Sequence, residues 1–243
     1  MRSRAERLLG SWLLMLAGSL FSAKSDVVLE TDGFRYVISA GGQNSAFIDK
    51  ASGIDYCDHR RPSACAQIRI GPKQFPATAA SRTNDLITLS FLPSPVIVRL
   101  GTTIHRQHIE IKIASVAGGA VDAVEFIHLP LTLNGKPGEP FAACSFALNT
   151  FTEVKELPAL QSTLTAIGHK RFGLSGAAAA LVGVAEPAML ATLRNIVHAA
   201  KDLPSIRTAG AWAQDVDFNH GSYLFNFGTL TEATVDEWIE TTK

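Results

Sequence analysis

The sequence predicts a mainly β protein: an antiparallel β-sandwich, then one α-helix, then a closing strand and helix. Three observations carry this. Short runs rich in β-branched and aromatic residues, most bounded by Gly, Pro, Asn or Asp, follow one another from Val27 to about Leu133. In HIEIKIA, Ile109, Ile111 and Ile113 alternate with Glu110 and Lys112, which puts one face in a core and the other in water. Leu190, Leu193, Val197 and Ala200 then recur at helical spacing.

Taken in order, FRYVISA leads into the turn GGQN and SAFID into KASG, followed by AQIRI, ITLSF, VIVRL, HIEIKIASV and VEFIHLPLTL. AVEFIHLPL has little alternation and predicts a strand covered on both faces. The pattern loosens between Asn134 and Ser175, where NGKPGEP is a turn and FAACSFALNTFTEV supplies another strand. AAAALVGVAE predicts a buried strand, and Pro187 sits where a helix begins without losing a needed N–H. The helix, with its stripe from Leu190 to Ala200 expected in the core, stops before Pro204 in DLPS. After the polar connection IRTAGAWAQDVDFNH, Ser222 to Phe227 reads as a strand broken by Gly228. Thr229 and Glu232 have capping-box spacing, and Val235, Trp238 and Ile239 share a helical face expected to pack.

The 243 residues are 47% hydrophobic and 18% charged, the balance of a globular chain with a sizeable core. Lys plus Arg and Asp plus Glu are equal at 22 each, and no basic cluster interleaved with aromatics occurs, which argues against nucleic acid as a partner. The first residues have the parts of a secretory signal: basic Arg2, Arg4 and Arg7, an apolar run from Trp12 to Phe21, and small Ala23 and Ser25. That run is about half the roughly 20 residues a spanning helix needs, so the expectation is cleavage after Ser25 and a secreted or periplasmic protein with no stable membrane span. The predicted organisation is a signal at 1–25, a β-sandwich at 26–205, and a linker with a strand and helix at 206–243. Cys57 and Cys65 can close the loop CDHRRPSAC or remain thiols, and Cys144 lies in an apolar run where a buried thiol is expected. Without a CxxC pair a structural zinc site is disfavoured.

FRYVISAGGQNSAFIDKASGIDY resembles the leading hairpins of galactose-mutarotase-like sandwich domains: a strand, a Gly-rich turn, a strand ending near Asp-Lys, and a Ser/Thr-Gly turn. In several families of secreted glycoside hydrolases such a domain precedes a (β/α)₈ barrel. The resemblance implies an accessory or carbohydrate-binding domain covering roughly Val27 to Ala185. On that reading GSYLFNFG looks like the first barrel strand and TLTEATVDEWIETTK the first barrel helix of a partial chain, and the sandwich packs on the missing barrel. The alternative is a terminal helix that packs back on the sandwich.

Glycoside hydrolysis needs two carboxyl groups flanking the bond, at the C-terminal ends of barrel strands. Asn226 ends the single candidate barrel strand and can hydrogen-bond a sugar hydroxyl but cannot exchange protons, so catalytic residues stay unassigned. Asp215 and Asp217 precede that strand and read as a solvated linker. With Asn219 they have the spacing of calcium ligands, but His220 replaces the required Gly and Asn226 the required Glu. Trp212, in a polar loop, is the aromatic ring placed to stack on a sugar. The substrate-binding candidates are therefore Trp212 and Asn226, and no metal is expected. A free-standing sugar epimerase is the rival reading, using His105 or His128 with Glu110 or Glu125; His108 is a further imidazole nearby. A structural or partner-binding sandwich without sugar contact is the third. Gly-x-Ser-x-Gly, P-loop and dinucleotide fingerprints do not occur, and no cofactor is expected.

Overall fold

The computed structural model describes residues 25–136, 138–155, 163–203 and 231–241. In chain order the strands are β1 (Val27–Glu30), β2 (Phe34–Ile38), β3 (Asn44–Asp49), β4 (Gln67–Ile70), β5 (Lys73–Pro76), β6 (Ala79–Thr83), β7 (Leu86–Phe91), β8 (Ser94–Ile104), β9 (His108–Ala117), β10 (Ala123–Pro130), β11 (Phe141–Ala147), β12 (Thr152–Glu153), β13 (Thr163–His169) and β14 (Ala178–Ala185). Two helices follow, α1 (Met189–Ala199) and α2 (Val235–Thr241). The fold is mainly β and every strand pairing is antiparallel.

Three open sheets form: β1, β2, β3; then β12, β13, β10, β4, β5; then β11, β14, β9, β8, β7, β6. Their inner faces share one core. Ile109, Ile111 and Ile113 of β9 and Val96, Val98 and Leu100 of β8 enter it from the six-stranded sheet, in the alternation their sequence predicts. Val124, Ile127, Leu129, Leu164 and Ala166 enter from the five-stranded sheet, and Phe34, Tyr36 and Phe47 from the small one. Phe47 packs 5.0 Å from Phe34 and 6.2 Å from Phe141, ring centre to ring centre, joining the small sheet to β11. Gly168 lets β13 approach the six-stranded sheet, since a Cβ there would stand 2.9 Å from Ile113 Cδ1 and 3.0 Å from Ala177 Cβ.

The outer face of β14 and β11 is covered by α1, which is why AAAALVGVAE has no polar alternation: Ala180, Val182 and Val184 pack with Ile196. Pro187 lies in the 3-10 turn Glu186–Ala188 that leads into α1, as its fixed φ suits. The packed stripe of α1 is offset from the expected one. Thr192 and Ile196 are buried, with Met189 and Leu193 beside them, while Leu190 is 64% exposed. The apolar residues span more than a narrow stripe, and the position of β14 selects which of them turn inward.

The face of α2 differs from the expected one. Val235 and Ile239 of α2 are exposed and Trp238 half-buried, so this face is not sealed in the sandwich core. At the start of α2 the Thr231 N–H donates to Thr234 Oγ1 at 3.0 Å, while Thr229, the other half of the expected capping box with Glu232, lies outside the described residues. Cys57 and Cys65 are free, buried thiols. Cys57 bridges to Leu131 and the Cys65 carbonyl accepts the N–H of His128, partners three residues apart on one chain segment. That is about 10 Å along a strand, beyond the span of a disulfide. Burial raises the Cys57 thiol to about 11 and Cys65 to about 12, so neither is poised to ionise. Cys144 is half-buried, raised to about 12 by burial.

Candidate functional site

Glu125 and His128 are three residues apart, an odd spacing that puts side chains on opposite faces of a regular strand. β10 is not regular. Glu125 pairs with Ile167 but Ile127 with Ala166, so Phe126 is the extra residue of a β-bulge. Phe126 and Ile127 both bury inward, and His128 turns onto the face that carries Glu125. There His128 Nδ1 lies 2.8 Å from Glu125 Oε1, and Gln67 Nε2 of β4 donates to Glu125 Oε2.

The peptide of His128 is pinned on both sides. Its N–H donates to the Cys65 carbonyl at 2.9 Å, and its carbonyl accepts from Asn44 Nδ2 at 2.8 Å. Asn44 Nδ2 also donates to Ser63 Oγ at 2.8 Å, while Asn44 Oδ1 accepts the Tyr36 hydroxyl at 2.6 Å. Through this one amide the small sheet holds the bulge in place. Tyr36 is a buried phenol raised well above its usual pKa, by burial first and then by Cys65 and Cys57, so it remains a donor.

A second imidazole–carboxylate pair stands across β13, where His169 Nε2 lies 2.6 Å from Glu153 Oε2 of β12. Register explains the gathering. Gln67, Glu125, Ile167 and Glu153 form one row across four strands, and Arg69, Ala123 and His169 the next. Side chains about 4.8 Å apart within each row converge on a polar cleft of about 290 Å³, which Gln74 and Lys155 also line. Burial of Glu125 opposes its charge, but the hydrogen bonds from His128 and Gln67, with the attraction of His128 and Lys155, outweigh it and hold the carboxyl below its ordinary range. Glu125 is thus an acceptor that orients the His128 ring and leaves Nε2 for a ligand.

The sequence candidates separate in space. His128 and Glu125 are joined, whereas His105 Nε2 sits 3.9 Å from Glu110 Oε2 at the end of the β8–β9 hairpin. The rings of His105 and His108 stack with centroids 4.2 Å apart, and burial, then His105, lowers His108 to about 4. Trp212 and Asn226, with Asp215, Asp217 and Asn219, lie outside the described residues. His169, Glu153, Lys155, Arg69 and Gln74 escaped the sequence reading. The available signal was TLTAIGH, where Leu164, Ala166 and Gly168 alternate with Thr163, Thr165, Ile167 and His169. A larger cleft of about 390 Å³ opens between α1 and β11, lined mostly by apolar residues such as Leu131, Phe141, Met189 and Leu193 together with Lys136, Glu139 and Glu186. Among the described residues no three His, Cys, Asp or Glu side chains are grouped to hold a metal ion, and no helix is long and apolar enough to cross a membrane. No protein-family model matches the chain, and no curated protein matches it.

Proposed function

We propose that this chain is the accessory, carbohydrate-binding sandwich of a secreted glycoside-hydrolase-like protein of the galactose-mutarotase-like kind. It binds a glycan on the outer face of the five-stranded sheet and presents it to a (β/α)₈ domain on which the sandwich packs, without hydrolysing it. The bulge in β10 carries the reading, because it abandons regular pairing to bring His128 onto the face of Glu125 inside a polar cleft. Imidazole, carboxylate, amide, guanidinium and ammonium groups side by side are the donors and acceptors that a row of sugar hydroxyls requires. The antiparallel sheets and the basic, apolar, then small-residue leader agree with this reading.

Calorimetric titration of the purified chain with a panel of neutral and acidic oligosaccharides tests it. Binding by wild type is expected, with His128→Ala weakening it about tenfold or more. Absence of binding across the panel removes the sugar reading and leaves a structural or partner-binding sandwich.

The same dyad favours a second reading, a sugar epimerase. Glu125 fixes His128 through Nδ1, so Nε2 can exchange a proton with the anomeric hydroxyl or ring oxygen. Polarimetry on a fresh aldose solution checks this: acceleration by wild type that disappears in His128→Ala supports it, and an uncatalysed rate in both rejects it.

A further inference from the structure

The cleft just described continues into a shallower one that shares Arg69 and His169 with it and adds Lys170, Arg171 and Asp122. This corner carries three permanent cations and one carboxylate, in a chain whose opposite charges balance at 22 each. Asp122 Oδ2 accepts the Gly71 N–H at 2.7 Å, a neutral donor that does not cancel its charge, so the corner holds three permanent cations against one carboxylate. Neither Arg69 nor Lys170 has a carboxylate partner among the described residues. Arg171 lies over the ring of Phe172, its guanidinium carbon 4.4 Å from the centroid, which keeps its charge but no anion beside it.

The backbone places these cations. Asp122 N–H donates to the Arg69 carbonyl at 2.8 Å, and Lys170 N–H donates to the Asp122 carbonyl at 2.9 Å, so Asp122 holds the two basic residues on either side of itself. Arg69 and His169 flank Ala123 in one cross-strand row, two strand spacings or about 10 Å apart. The methyl of Ala123 is the low floor between them. A planar guanidinium on one wall and an ammonium on the other suit an oxyanion, which Arg contacts with two parallel N–H groups and Lys as a point charge.

We propose that this corner binds the anionic substituent, carboxylate or sulfate, of an acidic glycan whose neighbouring hydroxyls occupy the cleft of His128 and Glu125. The inference rests on the carbohydrate-binding reading and adds the class of sugar. Unpaired cations beside a hydroxyl-binding cleft give an acidic glycan an attraction that a neutral one lacks, and salt screens it.

The test titrates the full chain with three probes of equal length: a neutral galactose tetrasaccharide, a galacturonate tetrasaccharide and a sulfated galactose tetrasaccharide. At least one acidic probe is expected to bind about tenfold or more tightly than the neutral one, and which of the two does so distinguishes uronate from sulfate. Lys170→Ala with Arg171→Ala, both exposed and outside the first cleft, should cut the preference severalfold by leaving Arg69 as the one remaining permanent cation of the corner, as should raising the salt, while the neutral sugar binds unchanged. A chain that binds the neutral probe as tightly as both acidic ones, or a double variant that keeps the preference, overturns the inference and leaves the carbohydrate reading intact. Binding to none of the three overturns the inference, and the carbohydrate reading falls with it only if the wider oligosaccharide panel also fails to bind; tighter binding of a single-stranded oligonucleotide than of either acidic sugar also overturns the inference.

Discussion

From Ile109 to Ile113 strand β9 of the six-stranded sheet keeps strict alternation, with Ile109, Ile111 and Ile113 inward and Lys112 outward, and shifts register against β8 only beyond it at Ala114, whereas β10 of the five-stranded sheet breaks register at Phe126 and turns His128 beside Glu125. Both strands face the same core. The first meets it with apolar side chains on a period of two and leaves its other face to solvent. The second buries two consecutive residues, Phe126 and Ile127, and thereby shifts the following side chain to the face that carries Glu125. The alternating stretch of β9 serves stability, and the bulge of β10 gathers polar groups because its shift falls between Glu125 and His128; a bulge alters which way a side chain points without displacing the strand from its sheet.

The largest effect expected from testing this contrast lies in the regular sheet. Ile109→Ala, at a fully buried position, should lower the unfolding free energy by about 2–5 kcal/mol in urea denaturation, from lost transfer energy and a residual cavity. A loss near that of a surface substitution would show that β9 does not anchor the core.

Asn44→Ala comes next, because it severs the tie between the small sheet and the bulge. The His128 and Ser63 carbonyls lose a donor and the Tyr36 hydroxyl an acceptor, so about 1–3 kcal/mol of stability should go. On the carbohydrate-binding proposal, glycan affinity should fall with it, whereas Ile109→Ala should leave the affinity of the folded fraction unchanged. If Asn44→Ala binds like wild type, the bulge keeps its geometry without that amide.

The smallest effect sharpens the electrostatic side. The Glu125 carboxyl is held below its unfolded value, so its contribution to stability is fully present above that value and is lost as pH falls through the folded one. Unfolding curves between about pH 6 and about pH 3 should therefore show a steeper loss in wild type than in Glu125→Gln. Glu30 and Asp58, lowered mainly by Lys50 and Arg61 respectively, keep part of the acid sensitivity in both proteins. Identical slopes would mean that the dyad adds nothing to folding.

Much of the sandwich was legible because β-strands write their burial directly into a period of two. HIEIKIA, ITLSF and FRYVISA each landed on a strand in the described fold. β13 was not legible, since Ala166 and Gly168 on its inner side are small where a strand is usually marked by bulk; Gly168 has no room for a Cβ because Ile113 and Ala177 press against it. The stripe of α1 shifted for a related reason: Leu190 and Ile196 are equally apolar as text, and only the position of β14 makes one exposed and the other buried. His128 and Glu125 were visible as candidates, but not as a pair.

The residues by themselves determined the class, mainly β and antiparallel with a helix after it, because alternation and turn chemistry act between near neighbours. Tertiary structure alone decided that His128 meets Glu125, that Asn44 holds them, and that His169 and Arg69 arrive beside them from distant strands. Those contacts depend on register across the five-stranded sheet, which is set by how three sheets share one interior. A single extra residue in one strand reassigns every side chain beyond it to the opposite face, and no local pattern in β10 announces where that residue falls.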